Sequence, residues 1–366
     1  MIKNKLSLES SNHIVDKISL IRMNALKHRK KYGIEQLKYP ISFWIKEERL
    51  REGLGKEFTI ILRTSGCSWA SKEIGGCSMC GYYLDAFQGN VSTSQIINQF
   101  DFAYNKKIND IKKDDYDYVL KIFNSGSFLD EIEISKEARY NILEKISEEK
   151  KIKEVVLESR MEFINSEKIK EIKELLSTKY IEIAIGLETA NDYIRNNYIN
   201  KGVQFQDFEN TLKICKQQGV GVKVYLLFKP PFLNEQAAID DCANSIKKLI
   251  KLGINSISIN PMNIQKGTLV EYLWYQNRYR LPWFYSLFKS IKKAVKQEDL
   301  KSTRLLSDPS GAGTKRGIHN CLKKECENNS KKILKNFVLT QNLNELEKKE
   351  YECDCKKRYQ FKKDYY

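Results

Sequence analysis

The chain has 366 residues, 41% hydrophobic and 30% charged, and its 63 Lys and Arg outnumber 47 Asp and Glu to give a formal charge of +16. That length suits one large α/β domain with extensions or two modest domains. No run approaches the ~20 apolar residues of a membrane span; residues 1–19 carry no apolar h-region, so a cytosolic protein without a membrane partner is expected. Nine cysteines in such a chain point to metal rather than disulfides. The cationic excess favours a polyanionic partner, nucleic acid first, although the abundance of Lys, Ile, Asn and Tyr offers biased composition as a second source of a basic surface.

Residues 12–35 read as helix and contain the basic block Lys27-His28-Arg29-Lys30-Lys31. Tyr39-Pro40 ends that helix and introduces Ile41-Ser42-Phe43-Trp44-Ile45. From residue 57, strand-like runs at 58–63, 118–123, 154–158, 181–187, 222–228 and 256–260 alternate with amphipathic helical stretches at 92–107, 135–150, 166–177, 206–218, 235–252 and 283–297. Six β–α units in series predict parallel strands with right-handed crossovers. Such a repeat closes into a full barrel or stops as an open one. The predicted class is α/β, a partial (βα)6 TIM-like barrel over 57–300, with an N-terminal helical extension over 1–56 and a Cys-rich basic C-terminal extension over 301–366.

After the first strand comes Arg63-Thr64-Ser65-Gly66-Cys67-Ser68-Trp69, then Gly75-Gly76-Cys77-Ser78-Met79-Cys80-Gly81-Tyr82. Iron–sulfur clusters are normally held by four cysteines. Three thiolates without a fourth nearby leave one iron of a [4Fe–4S] cubane open, and in radical S-adenosylmethionine (SAM) enzymes the methionine moiety takes that place. The cluster then delivers an electron to the sulfonium and releases a 5′-deoxyadenosyl radical. Nine residues separate Cys67 from Cys77, a gap that resembles the radical-SAM branch containing the Elongator catalytic subunit. The competing reading is a zinc knuckle of Cys77, Cys80, Cys67 and a distant ligand.

Chemistry in parallel barrels gathers at the C-terminal strand ends. The second strand ends in Asn124-Ser125-Gly126-Ser127, where radical-SAM proteins hold the SAM amino group on a glycine-containing turn; Ser125, Gly126 and Ser127 are the candidates, though Ser-Gly is also plain turn chemistry. The third ends in Glu158-Ser159-Arg160 and the fourth in Gly186-Leu187-Glu188. Ribose hydroxyls suit a carboxylate and the SAM carboxylate suits an arginine fork, which nominates Glu158, Arg160 and Glu188, with surface ion pairs as the alternative. Lys229 before Pro230-Pro231, together with Asn260 and Gln265 after the sixth strand, are candidate substrate contacts or solvent-facing loop residues.

Cys321, Cys326, Cys353 and Cys355 form two local pairs suited to a closed tetrahedral zinc site, with a second iron–sulfur cluster or free thiols as competitors; His319 is a possible substitute ligand. Trp274, Tyr275, Arg278, Tyr279, Arg280 and Trp283 interleave aromatics with cations, a set used for stacking on RNA bases and equally for helix packing. The run Gly311-Ala312-Gly313-Thr314-Lys315-Arg316 would approach phosphates through backbone N–H groups and two cations. Arg278, Arg280, Lys315 and Arg316 are thus the candidate tRNA contacts.

Together Ile60 to Trp69, Gly76 to Tyr82, Ser125 to Asp130, Glu158-Ser159-Arg160, Gly186 to Thr189, Lys229 to Phe232 and Arg316-Gly317-Ile318-His319-Asn320-Cys321 resemble the archaeal radical-SAM enzymes of archaeosine biosynthesis, the partners of archaeosine synthase. The likeness runs from about residue 40 to 355, with Ile318 where that family often has proline. It implies a [4Fe–4S] cluster, SAM, an electron donor, archaeosine synthase as partner, and tRNA whose position 15 bears a lysine adduct of 7-cyano-7-deazaguanine. The implied reaction takes hydrogen from the lysine side chain, breaks a C–N bond and leaves the amidine of archaeosine. A radical-SAM enzyme for another tRNA or rRNA nucleoside, or a zinc-dependent RNA-binding protein without catalysis, would share the generic features.

Overall fold

A computed structural model describes residues 13–29, 31–87, 89–348 and 351–365. Lys30 of the basic block, Asn12 at the start of the predicted first helix and most of the segment read for an h-region lie outside them. Helix α1 (His13–Lys27) precedes a hairpin of β1 (Ser42–Leu50) and β2 (Gly53–Ile61). The cysteine-bearing loop follows, with the short α2 (Ser68–Ser71).

The alternation then unfolds as α3 (Thr93–Lys113), β3 (Tyr118–Phe123), α4 (Lys136–Glu148), β4 (Ile152–Glu158), α5 (Ser166–Leu175), β5 (Tyr180–Glu188), α6 (Phe205–Gln217), β6 (Gly221–Phe228), α7 (Glu235–Lys251) and β7 (Ser256–Pro261). The predicted helix boundaries are set by side-chain caps: Ser92, Ser135, Asn165 and Asn234 each accept a backbone N–H of the first turn. Beyond β7 lie α8 (Leu269–Tyr275), α9 (Phe284–Ala294), β8 (Arg304–Leu306), α10 (Lys324–Thr340) and α11 (Cys355–Lys362).

The eight strands form one sheet in sequential order, with β2 to β8 parallel and β1 antiparallel at the edge. This is the partial barrel expected of the radical-SAM class, lengthened by one strand at each side. The boundary predicted at 56/57 falls inside β2, and the segment read as a helical extension contains all of β1. Likewise β8 and α10, assigned to the C-terminal extension, are built into the body. Ile333, Leu334, Phe337 and Val338 of α10 join the main core, and Lys335 pairs with Glu47 of β1 at 2.8 Å.

Successive strand residues point to opposite faces, and the two faces differ in kind. Phe58, Ile60, Leu120, Ile122, Val155, Leu157, Ile183, Ile185, Val222, Val224, Ile257 and Ile259 are buried in the main core. Burying each such side chain contributes ~1.5–3 kcal/mol. The alternate positions hold Glu57, Lys121, Glu154, Glu182, Lys223 and Arg304, all but the partly buried Arg304 being buried. Lys121 pairs with both Glu48 and Glu57, and Arg304 with Glu154 at 2.6 Å and Glu182 at 2.9 Å. The half-barrel therefore has an aliphatic outer layer and an ionic inner floor.

Candidate active site

The cysteine loop is held from three directions. Ser78 donates its N–H to Ile199 O and its hydroxyl to Tyr198 O, both at 2.8 Å, and Asn200 Nδ2 donates to Ile74 O and Gly76 O at 3.0 Å. Trp69 Nε1 returns a bond to Asn200 O at 2.9 Å. From α1, Arg22 Nη1 reaches Ala70 O at 2.9 Å. The φ of +84° at Gly76 favours glycine, and a Cβ there would also displace the Arg22 guanidinium. Gln265 Oε1 accepts the Gly81 N–H at 2.6 Å and closes the loop's far end.

This bracing brings Cys67, Cys77 and Cys80 together, each interacting electrostatically with the others and with Arg22. Burial, with charge on Cys77 and Cys67 adding to it, pushes the Cys80 thiol up to about 12. Arg22 Nη2 is buried without a hydrogen-bond partner. An anionic group held by three thiolates beside it would satisfy that donor, so the residues fit a [4Fe–4S] cluster. Among the described residues the triad is not gathered around one ion position; the C-terminal quartet is.

The strand ends converge on the same place. Glu133, in the turn after β3, escaped the sequence reading because nothing local marks it. Its carboxylate accepts from Thr64 Oγ1 at 2.8 Å, Asn124 Nδ2 at 2.7 Å and Ser127 N at 2.7 Å, and so joins the start of the cysteine loop to the Ser125-Gly126-Ser127 turn. A side chain at Gly126 would strike this carboxylate. Burial pushes Glu133 up to about 7 against the effect of those donors. Asn124 Oδ1 and Asp130 Oδ2 are buried acceptors without donors beside the turn, chemistry that fits an ammonium such as that of SAM.

Glu158 at the end of β4 is raised to about 7 by burial, Glu188 and Glu133 also raising it while Lys201 opposes. Glu188 follows a register shift in β5, takes φ +69° and accepts Lys201 Nζ at 2.8 Å. Lys201, a second residue missed from the sequence, faces Glu188, Cys77 and Arg160. Arg160 donates twice to Glu162, at 2.9 and 2.6 Å, and to Lys201 O at 3.0 Å, and lies 5.5 Å from the Trp69 ring. Glu158, Arg160 and Glu188 thus share one electrostatic neighbourhood with the cysteines.

The remaining candidates are spread out. Lys229 is 1% exposed, its ammonium 2.6 Å from Glu235 Oε1 and 2.7 Å from Arg280 O. Asn260 is partly buried and accepts from Ser258 Oγ at 3.3 Å. Arg280 donates to His319 O at 2.9 Å and Asn320 O at 3.0 Å and stacks 3.6 Å from the Trp283 ring; Arg316 pairs with Glu271 at 2.5 Å. Arg278 and Lys315 are exposed, and their side chains have no ion pair among the described residues. Cys321, Cys326, Cys353 and Cys355 bring their sulfurs within 4.8 Å of one another, while His319 Nδ1 turns to Gly317 O at 2.7 Å.

No family model matches the chain. Over 317 residues it is 38% identical to archaeosine synthase subunit beta of Methanosarcina acetivorans, covering 87% of this chain and 88% of that protein. Archaeosine synthase subunit beta of Thermococcus kodakarensis is 38% identical over 314 residues, 86% of this chain and 94% of the relative. An uncharacterized protein of Methanocaldococcus jannaschii is 40% identical over 334 residues, 90% and 88% of the two chains. Among solved structures, archaeal Elp3 from Methanocaldococcus infernus aligns with a TM-score of 0.47 at 16% identity, over 62% of this chain and 57% of that one. No helix among the described residues is long and apolar enough to cross a membrane. With 38% identity sustained over more than four-fifths of both partners, the chain belongs to the archaeosine synthase subunit beta family.

Proposed function

We propose that this chain is a radical-SAM lyase that converts the lysine-adduct 7-deazaguanine at position 15 of tRNA into archaeosine by C–N bond cleavage, acting with archaeosine synthase. The identity to two proteins named archaeosine synthase subunit beta across nearly the whole chain carries this reading. When bound, a [4Fe–4S] cluster and SAM supply reductive cleavage of the sulfonium and a carbon-centred radical.

The protein's own residues bind and orient. Cys67, Cys77 and Cys80 would hold three irons, with Arg22 offering a donor to the anionic centre. The Ser125-Gly126-Ser127 turn, braced by Glu133, would receive the SAM amino group, and Glu158 and Glu188 its ribose hydroxyls. Arg160 sits close enough to the cysteines to favour a carboxylate ligand. The +16 charge, with Arg278 and Lys315 exposed, suits a tRNA partner. A reductant must feed the cluster.

The test is anaerobic, cluster-loaded enzyme with SAM and dithionite, given lysine-adduct tRNA and analysed as nucleosides by mass spectrometry. Appearance of archaeosine supports the assignment. SAM cleavage with unchanged adduct rejects this substrate in favour of another nucleoside. Iron-free protein that leaves SAM intact rejects radical chemistry altogether.

A further inference from the structure

We infer that Cys321, Cys326, Cys353 and Cys355 hold a structural zinc ion that fastens α11 against the N-terminal ends of α7 and α9. The Sγ atoms of Cys321 and Cys353 are 3.8 Å apart, as are those of Cys326 and Cys355, and all four lie within 4.8 Å of one another. A regular tetrahedron with Zn–S of ~2.3 Å has edges of ~3.8 Å. Disulfide pairing would draw two sulfurs to ~2.05 Å. A cubane would spread the four thiolates, because each caps a different iron. The spacing matches a single tetrahedral ion.

The surroundings are built to present thiolates. Glu327, 2% exposed, accepts the backbone N–H groups of Asn320 at 2.9 Å, Cys321 at 2.7 Å and Leu322 at 2.9 Å. It thereby shapes the loop carrying the first ligand, with Leu322 at φ +66°. Tyr285 Oη lies 3.2 Å from Cys355 Sγ, and Asn320 Nδ2 lies 3.8 Å from Cys326 Sγ. Such outer contacts orient ligands and offset the charge of a tetrathiolate site. Arg280 and Lys323 add positive charge near Cys355 and Cys353.

The site also explains why a lysine-rich terminus docks at all. Tyr359 of α11 packs 5.6 Å from the Trp283 ring and 5.3 Å from Tyr285. Beyond it, Gln236 N donates to Lys363 O at 3.2 Å and Asn234 Nδ2 to Asp364 O at 2.8 Å, laying the end of the chain over the start of α7. The His319-Asn320-Cys321 run accepts from Arg280, whose own carbonyl accepts from Lys229. Metal, terminal helix and the Lys229–Glu235 pair form one connected unit.

The experiment is elemental analysis of anaerobically purified full-length protein, wild type and Cys326→Ser, with limited proteolysis alongside. Wild type should carry one zinc beside the four irons of the first cluster. In Cys326→Ser the zinc should be lost, the irons should stay, and cleavage near residue 350 should accelerate at least tenfold. As a control for misfolding, wild type stripped of zinc by a chelator should show the same accelerated cleavage, reversed by adding zinc alone. Eight irons without zinc, five irons without zinc, or four irons with four freely titrating C-terminal thiols would each overturn the inference. Because the readouts are zinc and proteolysis, they stand apart from the tRNA assay.

Discussion

Removing the ammonium of Lys229 tests how the mouth of the half-barrel is held. Lys229 and Glu235 are 1% and 0% exposed and meet at 2.6 Å. Their Coulomb attraction is roughly 6 kcal/mol at an effective dielectric of about 20, set against several kcal/mol of desolvation for each ion. The intact pair is therefore near balance, and breaking it is what costs. In Lys229→Met the Glu235 carboxylate stays buried with only Trp283 N, at 3.4 Å, as a remaining donor. The expected loss is ~3–5 kcal/mol, a large share of the ~5–15 kcal/mol that domains possess. Urea denaturation followed by circular dichroism should show a markedly lower midpoint for the single variant. The double variant Lys229→Met/Glu235→Leu should recover most of the loss, since no charge is then stranded. A single variant within about 1 kcal/mol of wild type, or a double variant no better than the single, would refute the reasoning.

The other buried charges set three further outcomes. Glu133 is raised from 4.5 to about 7 by burial, so the folded protein holds that proton more tightly than the unfolded chain; stability due to this group is fully present below pH 4.5 and lost as pH rises through about 7. Glu133→Gln should gain on wild type by up to about 3 kcal/mol across that window in denaturation midpoints, and a pH-independent difference would contradict the assignment. Lys223 is lowered to about 8 by burial and by Lys121, which makes its charged form the costly one below pH 8. Lys223→Met should be more stable than wild type at pH 7, by at most about 3 kcal/mol, with the gap closing between pH 8 and 10.5; a constant gap would reject this. Replacing Arg22 by Leu removes a cation facing the three cysteines, so the cluster's reduction potential should fall in an EPR-monitored titration, and an unchanged potential would place the guanidinium outside its influence.

The cysteine triad was legible as a group because its members are local: Cys77 and Cys80 share one turn, and Cys67 opens the same loop. The six β–α units were legible for the same reason, since caps and two-residue alternation are short-range. The partners of the site were not. Arg22 lies 48 residues from the carbonyl it grips, and Asn200 lies 124 from Gly76. Glu133 reads as one acid in a turn until folding delivers three donors to it. Lys229 was placed correctly at a strand end, but a sequence reading could not see Glu235 turning back from the first turn of α7. Strand β1 hid because it is an edge, partly exposed on both faces with Lys46-Glu47-Glu48-Arg49 in its second half, and β8 because three residues are too few for a period.

The charged residues that alternate with the aliphatic ones set the character of the concave face. In a closed eight-stranded barrel the inward side chains pack in aliphatic layers. Here those positions carry Glu57, Lys121, Glu154, Glu182 and Arg304, which pair with one another, Lys121 with Glu57 on the next strand and Arg304 with Glu154 and Glu182 across the sheet, and are further satisfied by Glu48, Arg51 N and Ser256. Such a layer is poor at excluding water but good at fixing strand register, because a slip would strand several charges at once. Above it the concave face stays polar through Ser258, Asn260, Glu158 and Glu188, rising toward the cysteine loop. The fold thus spends its apolar residues on the outer face, where helices seal them. It keeps its charged and polar residues for the concave face.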